Sequence, residues 1–241
     1  ASQAGLLGKR IFVELGSLDR IHLADNLADV AFVDEAAAAD VNEKEVLRVL
    51  RPEGRARLGV KELSKPRLEG SDSWSHPYHG PDNNPQSTDR VAKAPYLTQF
   101  IAAPKFSPMA EIAVGAGGRI YRAFGHIAHK ANQNAMLNTL ICANAYNGTI
   151  LWKRPLKPGF MIHRNTMVAT DEHLYMADNE SCQVIDGASG KIISEISIAK
   201  GLADGPVWKW MDIEKGVLYA PRSEERRGGK ECRSRGAEDE Q

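Results

Sequence analysis

Apolar and polar positions follow four different rhythms along this chain. Arg10-Ile11-Phe12-Val13-Glu14-Leu15 carries the β-branched and aromatic content of a buried strand, and Ala28-Asp29-Val30-Ala31-Phe32-Val33 predicts a second. From Glu43 to Leu50 the apolar residues Val46, Leu47, Val49 and Leu50 fall on one helical face. Asn42 is a good N-cap for that helix, and Glu45 three residues later suits a capping box. Arg51-Pro52-Glu53-Gly54 predicts its stop, because proline cannot continue a helix and glycine supplies a turn. Arg55 to Val60 reads as a third strand. Strand, strand, helix, strand predicts α/β organisation with a parallel sheet.

Residues 61–110 lose this rhythm and hold seven prolines, which predicts loop. Residues 111–220 show short strands broken by glycine and asparagine. Asn144-Ala145-Tyr146-Asn147-Gly148-Thr149-Ile150-Leu151-Trp152 reads as a strand, an Asn-Gly turn and a returning strand. Val184-Ile185-Asp186-Gly187-Ala188-Ser189-Gly190-Lys191-Ile192-Ile193 repeats the plan, with Gly190 standing 42 residues after Gly148. That period lies within the ~40–50 residues of propeller blades. Ile120-Tyr121, Leu174-Tyr175 and Leu218-Tyr219 recur after the turn-like pairs Gly117-Gly118, Asp171-Glu172 and Lys215-Gly216. Tyr121 precedes Gly148 by 27 residues, against 15 from Tyr175 to Gly190, so the first repeat carries an insertion; Gly125 to Met136 has the right length for it.

Composition narrows the classes. There are 31 basic and 31 acidic residues, so net charge offers no electrostatic case for a nucleic-acid partner. No segment approaches the ~20 apolar residues of a helical membrane span. Cys142, Cys182 and Cys232 are far apart with no CxxC, which argues against a disulfide scaffold or zinc ribbon. The first ten residues lack the apolar stretch of a signal peptide and read like the inside of a domain. Residues 223–241 are almost without apolar side chains, and SEERRGGKECRSR is similar to a translated vector or adapter peptide, which implies a foreign, disordered tail.

Two families are resembled. Leu23-Ala24-Asp25-Asn26-Leu27-Ala28-Asp29-Val30, followed by Leu47-Arg48-Val49-Leu50-Arg51-Pro52-Glu53-Gly54, resembles the distal part of S-adenosylmethionine-dependent methyltransferases. Ser17 stands where that family usually has aspartate, and Glu53 where it has a turn glycine. Its glycine-rich cofactor loop would lie upstream of Ala1, so this piece is expected not to bind the cofactor by itself. The second resemblance is to PQQ-like, quinoprotein-type β-propellers. Asn144 and Asp186 stand four residues before a turn glycine, and Trp152 four after Gly148, where that family docks a tryptophan between blades. Ser194 takes the tryptophan's place in the second repeat. Trp74 to Asn84, with Gly80, Ser87 and Asp89, is similar to the segment that opens many such propellers. Cofactor-using members carry adjacent cysteines, a calcium site and a catalytic aspartate; no adjacent cysteines occur here.

The side chains able to do chemistry are few. Asp25 and Asp29 lie nearest a would-be α/β pocket, where a turn or cap role is the plainer reading. His76 and His79 could ligate a metal at i, i+3 spacing, or serve as hydrogen-bonded surface groups in a Pro/Gly-rich loop. His126 and His129 sit in the inserted loop, and His163 with Arg164 could join them to hold an anionic ligand. Trp208-Lys209-Trp210 reads as packing between repeats, and Cys142 and Cys182 as small buried hydrophobes.

The combined expectation is a Rossmann-like partial α/β domain (residues 1–62), a Pro-rich propeller-opening linker (63–110), about two propeller blades plus edges (111–221), and a tail (222–241). Gly148, Trp152, Asp186, Gly190, Trp74 and Gly80 carry the structural motif. The expected role is a binding or interaction scaffold that is part of a longer protein, whose remaining blades are its first partners. The alternatives are a quinoprotein oxidoreductase using PQQ or a methyltransferase using S-adenosylmethionine in the intact parent. The propeller resemblance implies a periplasmic or exported protein.

Overall fold

The computed structural model describes residues 2–95, 98, 100–157, 166–178, 180–198 and 208–220. These form four small sheets, one α-helix and one 3-10 helix. No helix among them is long and apolar enough to cross a membrane. The tail expected at 222–241, His163 and Arg164 lie outside the described residues.

The first sheet holds β1 (Ala28–Val33), β2 (Leu50–Leu58) and β3 (Lys61–Ser64), in that order. Helix α1 (Glu43–Val49) connects β1 to β2, which run parallel, and β3 returns antiparallel. Asn42 caps α1, its Oδ1 accepting from the Lys44 amide at 3.0 Å. Val46 and Leu50 are fully buried and meet Ala56 and Leu58 of β2. At the other end of the helix the Lys65 ammonium donates to the Arg48 and Leu50 carbonyls and to Asn26 Oδ1. A cation there satisfies carbonyls the helix leaves unpaired.

Two expectations for this region need correction. Arg10–Leu15 is not a strand: the only ladder contact nearby is a single bridge between Leu7 and Ile11, and Val13 and Leu15 are 80% and 99% exposed. Apolar content makes a segment suited to a strand but supplies neither a partner edge nor a face to bury. The helix does stop before Arg51–Gly54, at Val49 with Leu50 as its C-cap, but that stretch is not a free turn: it lies inside β2 as a bulge, where two steps along β1 (Ala28 to Val30) match five along β2 (Leu50 to Arg55). Glu53 adopts φ 62 there, and a Cβ on Gly54 would lie 2.7 Å from the Arg51 carbonyl. Proline is tolerated in such a bulge because no ladder amide is required of it. Of a Rossmann-like arrangement, the described residues show this one parallel crossover and no more.

Two four-stranded antiparallel meanders follow. The first comprises β4 (Ala110–Ala116), β5 (Arg119–Phe124), β6 (Thr139–Asn144) and β7 (Ile150–Pro155); the second comprises β8 (Met167–Ala169), β9 (His173–Ala177), β10 (Ser181–Asp186) and β11 (Ile192–Ser197). A hairpin of β12 (Asp212–Glu214) and β13 (Val217–Tyr219) comes last. The meanders match in detail. Asn144 Oδ1 accepts from the Tyr146 amide, the Gly148 amide donates back to the Asn144 carbonyl at 2.9 Å, and Gly148 has φ 69. Asp186 Oδ1 accepts from the Ser189 amide, the Gly190 amide donates to the Asp186 carbonyl at 2.8 Å, and Gly190 has φ 71. A register shift follows at equivalent places, between Cys142 and Ala143 and between Val184 and Ile185. The Asn147-Gly148 pair is therefore part of a wider turn with one left-handed glycine. The two-residue turns with both φ positive are Gly117-Gly118 and Lys215-Gly216.

The sheets stack. Val114, Tyr121, Leu140 and Cys142 of the first meander pack against Met167, Leu174, Met176 and Ile185 of the second. The second meander's other face gives Val168, Ala177 and Cys182 to Trp208 and Met211, with Tyr175, Ile213 and Leu218 at the margin. Covered on both faces, this sheet buries every residue of β8 and four of the six in β10, without the alternation of a half-exposed strand. The insertion supplies a 3-10 helix, Ala131–Met136, whose Met136 covers Phe124 and Ile141 on the first meander's outer face.

Candidate functional site

The contact between the meanders is built around Trp152. Its Nε1–H donates to the Gly187 carbonyl at 3.0 Å, and its ring lies over Gly190, where a Cβ would come within 2.6 Å of the indole. Tyr121, fully buried, stands 5.9 Å from that ring, and a Cβ on Gly187 would meet its hydroxyl at 2.5 Å. Burial pushes the Cys142 thiol up to about 12 and the Tyr121 phenol above its ordinary range, so both stay neutral at physiological pH. Gly148 is pressed in the same way by Phe100, whose ring a Cβ would meet at 2.5 Å. An aromatic side chain seated on the turn glycine thus occurs twice. Sequence reading found Trp152 and missed Phe100, because Phe100 comes from an irregular segment with no repeat period to flag it.

Segment 72–89 crosses the first strands of three sheets. The Trp74 carbonyl accepts from Gly115 of β4 at 2.6 Å, the Ser75 carbonyl from Ala169 of β8 at 2.9 Å, and His76 Nε2 from Ile213 of β12 at 3.1 Å. Three consecutive residues therefore pin three successive sheets. The segment is itself organised by Asp72, whose Oδ2 accepts from His79 Nε2 at 2.7 Å, Ser87 Oγ at 2.9 Å and the Thr88 amide at 2.7 Å. Burial alone would raise this carboxyl's pKa; the bonds from Thr88, His79, Ser87 and the Ser73 amide outweigh it and hold the group well below the usual range. Trp74 is half-exposed, with His79 edge-on to its ring at 5.3 Å, and Gly80 is buried beside Asp82. His76 and His79 are hydrogen-bonded, as the loop composition suggests, but His76 is only 4% exposed. A cavity of about 400 Å³ opens beside Trp74, bounded also by Arg67, Asp72, Asp89, Arg119 and Tyr146. Its arginines already have partners: Arg67 binds Glu53 and Asp171, and Arg119 donates to the Asp171 carbonyl.

Asp25 and Asp29, the candidates for a cofactor pocket, are engaged by arginines. Asp25 pairs with Arg48 at 2.6 Å, and Asp29 with Arg51 at 2.5 Å. Asp29 also accepts from Asn144 Nδ2 at 2.9 Å and Asn147 Nδ2 at 3.1 Å, so it joins the first sheet to the turn of the first meander. Arg67 repeats that role between Glu53 and Asp171. His126 and His129 are exposed on the insertion and are not brought together with a third ligand; among the described residues no three His, Cys, Asp or Glu side chains group to hold a metal ion.

No protein-family model matches the chain, and no curated protein matches it. A solved structure, the quinohemoprotein alcohol dehydrogenase ADHIIG from Pseudomonas putida HK5, is similar at 12% identity and a TM-score of 0.40, over 61% of this chain and 22% of that one. At that score the likeness assigns neither fold nor function.

Proposed function

We propose that the chain is part of a PQQ-like β-propeller protein in which the stacked sheets serve as a scaffold for binding or interaction, without catalysis of their own. The observation that carries this reading is the double meander. Two sheets share strand order, turn hydrogen bonds, left-handed glycine and bulge position, and an aromatic ring is seated on each turn glycine. Stacked four-stranded meanders are the unit from which propellers are built. The chain's charged groups near the candidate cavity are spent on one another, as in Arg67–Glu53, Arg67–Asp171 and Asp29–Arg51, which suits a rigid framework better than a reaction centre. Asp25 and Asp29 do not fit a cofactor role while their carboxylates hold Arg48, Arg51 and the Asn144 turn.

The test is titration calorimetry of the whole chain with PQQ, with and without calcium, and with S-adenosylmethionine, beside a dye-reduction assay on the longest available reading frame. The scaffold reading expects no saturable heat and no dye reduction. Saturable PQQ binding with calcium-dependent dye reduction by an alcohol or sugar would replace it with an oxidoreductase.

A further inference from the structure

His76 Nε2 stands between two groups it cannot serve together. The Ile213 amide donates to it at 3.1 Å, while Asp212 Oδ1, which as a carboxylate only accepts, lies 2.9 Å away. A ring nitrogen carries either a lone pair or a hydrogen. With the lone pair it takes the Ile213 bond and leaves Asp212 Oδ1 buried without a donor, which is how that oxygen stands. With a hydrogen it donates to Asp212 and gives up Ile213. The other ring nitrogen, Nδ1, faces Ser75 Oγ at 2.8 Å, and a hydroxyl can donate or accept as required. The pair is closed to solvent, with side chains 6% and 10% exposed. The other charged or titratable groups near His76 are Asp82 and His79 of its own loop, and His79 is held by Asp72.

We propose that His76 is a proton-operated latch between segment 74–76 and the β12–β13 hairpin: the neutral ring holds β12 through the Ile213 amide, and the protonated ring holds it through the Asp212 carboxylate. This goes beyond the scaffold reading and does not depend on it. Burial acts first and holds the imidazole below its ordinary value, with Asp212 pulling the other way. The sign follows: a histidine whose folded pKa is depressed stabilises the fold above its unfolded value of about 6.5, and that contribution fades as pH falls. The exchange of partners therefore lies on the acid side of about pH 6.5.

Nitrogen-detected NMR of the whole chain, labelled at histidine, tests this from about pH 8 down to the acid limit of the folded state. Nε2 of His76, identified by its contact with the Ile213 amide, is expected to be unprotonated at the upper end and protonated at the lower, with the Ile213 amide signal moving in the same step. Asp212→Asn removes the charge that favours the imidazolium and is expected to lower the midpoint by about one pH unit. A single protonation state throughout, or an Ile213 amide that does not follow the ring, overturns the latch on the unmutated protein. An unchanged midpoint in a folded Asp212→Asn variant overturns the role of Asp212.

Discussion

The β1–β3 sheet and the stacked meanders use similar residues to different effect. In the meanders, both faces of the middle sheet are covered, and its β8 and β10 are largely buried. In the first sheet, α1 covers one face only: Ala56 and Leu58 are buried, whereas Val30 and Phe32 of β1 are 52% and 78% exposed. The first sheet is held to the rest by polar contacts, Asp29 to Asn144 and Asn147, and Arg67 between Glu53 and Asp171. The meanders are held to each other by apolar packing and a tryptophan. Half-exposed ion pairs are each worth about 0–1 kcal/mol, and a buried large apolar side chain about 1.5–3 kcal/mol. The stacked meanders should therefore form the cooperative unit, with the first sheet attached to it.

That contrast can be broken at the turn glycine with the largest effect. Gly190→Val puts a β-branched residue at φ 71 and drives its Cβ into Trp152, so a loss of about 3–5 kcal/mol in urea unfolding is expected. Trp152→Ala vacates the same contact from the other side and is expected to cost about 2–4 kcal/mol, Trp152→Phe about 1 kcal/mol for the lost Gly187 bond. Asp29→Ala should cost about 1 kcal/mol, and proteolysis should then cut the 28–64 region before the meanders. Acid should act on the opening segment. A carboxyl with depressed pKa stabilises the fold above its unfolded value, so the contribution of Asp72 is expected to fade as pH falls below about 4, and Asp72→Asn should flatten that part of the curve. Phe32→Ser, on the uncovered face, should change stability by no more than about 0.5 kcal/mol.

What could be read from the residues alone divides along the same line. The meanders were legible because their signals are local and recur: Asn144 and Asp186 four residues before a glycine, and a tyrosine after each tight turn. The helix Glu43–Val49 was legible from its cap and apolar face. The strand predicted at Arg10–Leu15 failed because pairing depends on an edge elsewhere in the molecule. The turn predicted at Arg51–Gly54 became a bulge because the Lys65 and Gly54 backbones pair across it, a contact that no local pattern announces. The site was less legible than the fold. Asp29 drew notice for its place before an apolar strand, but its partners Asn144 and Asn147 lie more than a hundred residues away. Likewise the spacing of His76 and His79 carries no hint of Asp212, which arrives from the β12–β13 hairpin.

Native-state hydrogen exchange, read amide by amide, is the most direct test that the stacked meanders are one cooperative unit to which the first sheet is attached. The expected result is a common, highest opening free energy for amides of β5, β6, β9 and β10, with those of β1, β2 and α1 opening at lower cost. Equal or greater protection in β1 and β2, or separate opening free energies for the two meanders, would contradict it.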